Sequence, residues 1–138
     1  MSWQAYALLS AIAAGATAVL AKLGVQGIPS NLATGIRTVV ILALAWAIVL
    51  ARGEHQALGA ISRRSLVFLV LSGLATGVSW LAYYRALQLG PASRVAPIDK
   101  LSLAFTVLLA VPVLGESLTW RVALGVGLMI AGALVAVR

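Results

Sequence analysis

Five long apolar runs, each about the length of one bilayer crossing, alternate with short polar breaks along this sequence. A spanning helix needs about 20 predominantly apolar residues, within a working range of about 17–25. The breaks leave pieces of that size at about 3–21, 32–51, 65–89, 94–114 and 119–137. Lys22 closes the first run. Gly24, Gln26, Gly27, Pro29, Ser30 and Asn31 then gather the turn formers that stop one helix and cap the next. The stretch from Arg52 to Arg64 is charged and glycine-containing, so it reads as an aqueous loop. Gly90-Pro91 ends the third run sharply, and Gly115-Glu116-Ser117 is a turn. The fifth run is short for a full crossing. No water inside the hydrocarbon can satisfy a bare backbone, so each run is helical. A membrane β-barrel would need alternating polarity in pieces of about ten residues, and these runs are continuously apolar. The pattern predicts an all-α integral membrane protein of five transmembrane helices in one domain.

The faces of the helices differ. Small residues at four-residue spacing let membrane helices approach closely. Ala11, Gly15, Ala18 and Lys22 share a face of the first span. On the third, Gly73, Gly77, Trp80 and Tyr84 form one stripe, beside a hydroxyl stripe of Ser72, Thr76, Ser79 and Tyr83. Leu71, Leu74, Val78 and Leu81 are left to meet lipid. Gly15, Gly73 and Gly77 are therefore expected to be helix-packing positions. Trp80 lies nine residues before Leu89, roughly 13 Å inside the span. That depth suits a cavity wall. Tyr83 and Tyr84 fit the same wall or an interfacial aromatic belt.

Composition agrees with the spans. Of the 138 residues, 62% are hydrophobic and only 9% charged, with a mean hydropathy of +1.07. A soluble domain carries about 25% charged residues. No cysteine is present, so no disulfide framework or thiolate metal site is available. The single histidine, His55, sits in the polar loop and reads as solvated. The net charge of +7 is spread singly between apolar runs, as interface anchors rather than a nucleic-acid surface. The first run has no cation before it, unlike a cleaved signal, and reads as a retained helix. No nucleophile with a base, paired carboxylates, metal-ligand spacing or phosphate loop is found. The expectation is no enzyme, no metal and no cofactor.

Charges inside the spans are the candidate chemistry. Arg37 is six residues from Asn31, and Asp99 is six from Ser93. Both helices start from the same side, so both charges lie roughly 9 Å down. A charge near the bilayer centre costs at least about 2.5–3.5 kcal/mol, which makes intramembrane ionisable residues functional candidates. Equal depth and opposite sign suggest an Arg37–Asp99 pair, structural or functional, or one shared wet cavity. Asp99, Ser102 and Thr106 share a face, and Thr34, Arg37 and Thr38 cluster. Pro97 weakens the fourth helix beside Asp99. Lys100 is expected to snorkel to the surface. Arg37, Asp99, Trp80, Tyr83, Tyr84, Ser79, Thr76, Ser102, Thr106 and Lys22 are the candidate cavity residues for substrate or ion.

Five spans put the termini on opposite sides. Arg52, Arg63, Arg64 and Arg121 flank one side, and Lys22, Arg85, Arg94 and Arg138 the other. The Lys/Arg imbalance that orients a membrane protein is missing. Dual topology and an antiparallel pair of chains follow as a hypothesis. Such a pair would build from two copies the inverted architecture that many transporters hold in one chain.

The segment from Trp80 to Glu116 carries further letters. Ala86-Leu87, Gly90-Pro91-Ala92, Ala96-Pro97 and Gly115-Glu116 stand in order on the third and fourth spans. This series resembles the EamA-type domain of the drug/metabolite transporter superfamily, and the spans fit it over the whole chain. Most similar proteins carry two such domains in inverted orientation, ten helices in all. This chain is similar to the short five-helix bacterial members, one half of that architecture. The resemblance implies a secondary carrier of a small metabolite or drug-like solute in the bacterial inner membrane. The small four-helix exporters of that superfamily carry a glutamate in the first helix, and no acid stands in the first span here. Asp99 is the one acid inside any span, so proton coupling would fall to it. Two functional readings result. One is a homodimeric carrier working by alternating access, in contact with lipid, solute and a second copy. The other is a non-transporting subunit that packs against a larger membrane partner.

Overall fold

The computed structural model describes residues 2–137. Arg138, one of the cations in the topology count, lies outside the described residues. Helices α1 (Trp3–Gly24), α2 (Ser30–Ala51), α3 (Arg63–Leu89), α4 (Ala92–Asp99), α5 (Ser102–Leu114) and α6 (Trp120–Val137) follow one another, with a short 3₁₀ helix at Glu54–Ala60. Among the described residues there are five segments long and apolar enough to cross a membrane: α1, α2, α3, α4 with α5, and α6. The expected spans all appear, mostly longer by two or three residues at one end.

Local chemistry sets those ends. Ser62 caps α3, its Oγ accepting the Ser65 N–H at 3.0 Å, so the helix starts at Arg63 rather than Ser65. Thr119 opens α6, its Oγ1 accepting from the Val122 N–H at 3.4 Å. At the end of α5, Gly115 takes a left-handed conformation with φ 70°. Its N–H and that of Glu116 both turn back to the Ala110 carbonyl. That closure gives the Ala110 carbonyl its partners at the helix end, and glycine enters it without steric cost. The loop after α2 holds more order than expected. Gly53, with φ 69°, turns the chain into the 3₁₀ helix, which lies against α2.

The chain divides into two compact units. One joins the segment ending at Lys22 to everything from Leu89 onward. Within it α6 packs along α4 and also meets α5. The other runs from Leu23 to Gln88 and holds α2, the 3₁₀ helix and most of α3. Among the described residues few side chains are buried: Ala18, Ala21, Val25, Ala33, Tyr84, Leu87 and Ala133 are the apolar ones. Large apolar side chains such as Leu32, Phe68, Leu71, Val78 and Leu108 stay exposed along every long helix. Water would penalise that surface at about 25 cal/mol per Å², whereas hydrocarbon accepts it. The chain is a multi-pass membrane protein whose apolar exterior is solvated by lipid.

Candidate functional site

In the unit from Leu23 to Gln88, α2 supplies a charge and α3 supplies rings. The Arg37 guanidinium carbon lies 3.4 Å from the centre of the Trp80 ring and 5.9 Å from that of Tyr84. Trp80 in turn meets Tyr83 edge-on at 5.5 Å and Tyr84 at 5.9 Å. The i, i+3, i+4 spacing of these three residues gathers them on one side of α3. Tyr84 is buried, while Arg37, Trp80 and Tyr83 are half-buried. A planar, weakly hydrated guanidinium suits this contact, which is worth about 2 kcal/mol when desolvated. Stacking uses the face of the guanidinium and leaves its N–H edge available to an acceptor.

The hydroxyls beside Arg37 serve the helix itself. Thr34 Oγ1 donates to the Ser30 carbonyl at 3.0 Å, and Thr38 Oγ1 to the Thr34 carbonyl at 2.8 Å. Thr76 does the same with Ser72, at 2.9 Å. Thr76 and Ser79 are exposed and stand outside the ring cluster. Gly15, Gly73 and Gly77 face open space: a Cβ built on any of them meets nothing within 4 Å.

The other unit holds the acid. The fourth span is interrupted between Asp99 and Ser102. Pro97 cannot donate to the carbonyl one turn back. The Leu101 N–H bonds to Ile98, Leu103 to Lys100 and Ala104 to Leu101. These three-residue steps tighten the chain into a 3₁₀ turn at the break. Asp99, half-buried, sits at that turn, with the Lys100 ammonium 3.4 Å from its Oδ2. Below it, Thr106 Oγ1 donates to the Ser102 carbonyl at 2.9 Å. Lys22, at the end of α1, donates from Nζ to the Gly90 carbonyl at 2.8 Å, pinning α1 to the turn before α4. Among the described residues no cluster of three His, Cys, Asp or Glu could hold a metal.

Sequence reasoning missed Gln88. Its amide nitrogen donates to the Ile28 carbonyl at 2.6 Å and lies 3.5 Å from that of Val25, tying the end of α3 to the α1–α2 loop. Its oxygen accepts from Arg85 at 3.0 Å. A glutamine one residue from the end of a long apolar run was the available signal.

The geometry is that of a polytopic membrane protein with charges inside its apolar spans, one held by a ring cluster and one at a helix break. A model of the EamA-like transporter family matches residues 1–138, and the chain belongs to that family. A relative from Sinorhizobium sp, described as an uncharacterized transporter in the cobO 3' region, is 56% identical over 133 residues. The alignment covers 96% of this chain and 94% of the relative. No solved structure matches.

Proposed function

We propose that the chain is a secondary transporter of a small metabolite or drug-like solute in the bacterial inner membrane. It acts by alternating access as an antiparallel pair of copies. The observation that carries this reading is the interruption of the fourth span at Asp99. Broken helices at membrane depth are where secondary transporters place solute and coupling ions, because freed backbone groups and a charge come together there. Asp99 takes the coupling proton. Arg37, stacked on Trp80, offers its N–H edge to the solute. Tyr83, Tyr84, Ser79, Thr76, Ser102, Thr106 and Lys22 complete the proposed cavity lining. Gly73 and Gly77, open along α3, give the second copy a place for close approach.

The test uses liposomes carrying the purified chain and a pH-sensitive dye inside. An imposed proton gradient and pools of candidate metabolites and cationic drugs are supplied outside. A solute-dependent proton flux is expected, with Asp99→Asn lowering it at least about tenfold, the scale of one lost charge-assisted contact. A flux that Asp99→Asn leaves intact removes the coupling role. Reporters active in the cytoplasm or the periplasm, fused after the last residue, test the antiparallel pair. Similar signals from both support it, and a signal from only one overturns dual topology.

A further inference from the structure

A cavity of about 400 Å³ opens at one end of the Leu23–Gln88 unit, lined by Pro29, Ser30, Asn31, Arg85 and Gln88. The geometry points to a binding site there for a phosphate-bearing anion, distinct from the ring cluster around Arg37. Three features converge on it.

The first is the start of α2. Pro29 precedes the helix, and no side chain caps it. The earliest backbone bond is from the Ala33 N–H to the Pro29 carbonyl at 3.1 Å, so the N–H groups of Ser30 to Leu32 have no partner within the helix. Those donors and the helix dipole favour negative charge. The second is Ser30. It is only 8% exposed, and among the described residues its hydroxyl has no hydrogen-bond partner. No sealed side-chain oxygen among the described residues lacks a partner, so the Ser30 Oγ is accessible, and Ser30 is one of the residues lining the cavity. An accessible hydroxyl on a residue this enclosed is a ready donor, and an acceptor oxygen in the cavity would take it up. The third is Arg85. Gln88, fixed through its amide nitrogen to the Ile28 carbonyl, accepts from Arg85 Nη1 at 3.0 Å and positions the guanidinium on the wall. The remaining N–H groups of Arg85 are free to form a paired contact with phosphate oxygens. No acid lines the cavity, so nothing there competes for the charge.

The cavity lies where one candidate span starts and another ends, the place where a crossing helix would meet lipid headgroups. The same chemistry recognises an anionic lipid headgroup or a free phosphate from water. The experiment separates them. The purified full chain in neutral detergent is titrated with inorganic phosphate in one arm, followed by thermophoresis. Phosphatidylglycerol is used in the other, followed by native mass spectrometry. Binding is expected in at least one arm. Lipid binding alone assigns the headgroup, and phosphate binding assigns the aqueous anion. Arg85→Gln, which keeps a polar group beside Gln88, is expected to weaken binding about tenfold or more. Ser30→Ala, which leaves the helix start intact, is expected to weaken it severalfold. Arg64→Gln, at the opposite end of α3, leaves it unchanged. Absence of binding in both arms overturns the site, as does affinity that Ser30→Ala and Arg85→Gln do not change. Neither arm reads transport, so failure here is separate from failure of the proposed function.

Discussion

Two segments of this chain carry a charge into the membrane, and they do it by different means. The α2–α3 pair keeps both helices continuous and covers Arg37 with the Trp80 ring at 3.4 Å. The fourth span gives up helical continuity at Asp99, whose carboxylate meets the neighbouring Lys100 ammonium. A ring cluster disperses a cation's charge without spending a backbone hydrogen bond. A helix break exposes backbone groups beside an anion and leaves them ready to change partners. A continuous helix resists bending, and a helix broken beside a proline bends more readily. On the proposed function, the first would hold solute and the second would change shape.

The largest effect should come from loosening the α2–α3 pair. Trp80→Ala takes away the surface beneath Arg37 and leaves a cavity among Tyr83, Tyr84 and the guanidinium. A loss of about 3 kcal/mol in unfolding free energy is expected, measured by SDS titration in mixed micelles. Trp80→Phe keeps a smaller ring and should cost about 1 kcal/mol. A Trp80→Ala cost no larger than that of Ser79→Ala, at an exposed neighbour, would show that the ring cluster does not hold α2 and α3.

Next comes the broken fourth span. Pro97→Ala restores a backbone donor one turn before the break and removes a ring that crowds the helix. A gain of about 2 kcal/mol in stability is expected, with slower hydrogen exchange at the amides from Ile98 to Ser102. Transport should slow as stability rises. Exchange that stays unchanged would assign the break to the Asp99–Lys100 pair instead of the proline. The three-residue hydrogen bonds from Leu101 to Ala104 would then be a consequence of side-chain charge.

The spans were legible because lipid enforces them: a helix that must be apolar for a full crossing leaves a long, unbroken signature in the letters. The stop at Gly115 was legible too, since a left-handed turn after an apolar run selects glycine. Trp80 and Tyr84 were placed together by helical periodicity alone. What periodicity does not fix is the rotation of one helix against the next. Depth along the axis therefore drew attention to Asp99 as a counterpart for Arg37, while the ring contact depended on how α3 turns about its own axis. The role of Gln88 was hidden for a related reason. Its bonds reach loop carbonyls some sixty residues away in sequence, and such long-range pairs leave no repeat. The interruption at Asp99 was half visible, because Pro97 marks a weak point without saying whether a helix bends or breaks there.

The smallest expected effect separates charge from shape at Arg37. Arg37→Lys keeps the positive charge and removes the plane that lies on Trp80. If the ring face is what holds the residue, stability should fall by about 1 kcal/mol. The lysine would then reach for water with its flexible stem, as exposed cations near helix ends do. If a carboxylate were the main partner, a compact ammonium would serve almost as well, and the loss would be near zero. Repeating the substitution with Trp80→Phe tests the coupling directly. Contacting residues give non-additive changes, so the double variant should lose less than the sum of the two single ones. Additive losses would mean that Arg37 and Trp80 are held independently, and the contrast between a ring-covered charge and one at a helix break would lose its physical basis.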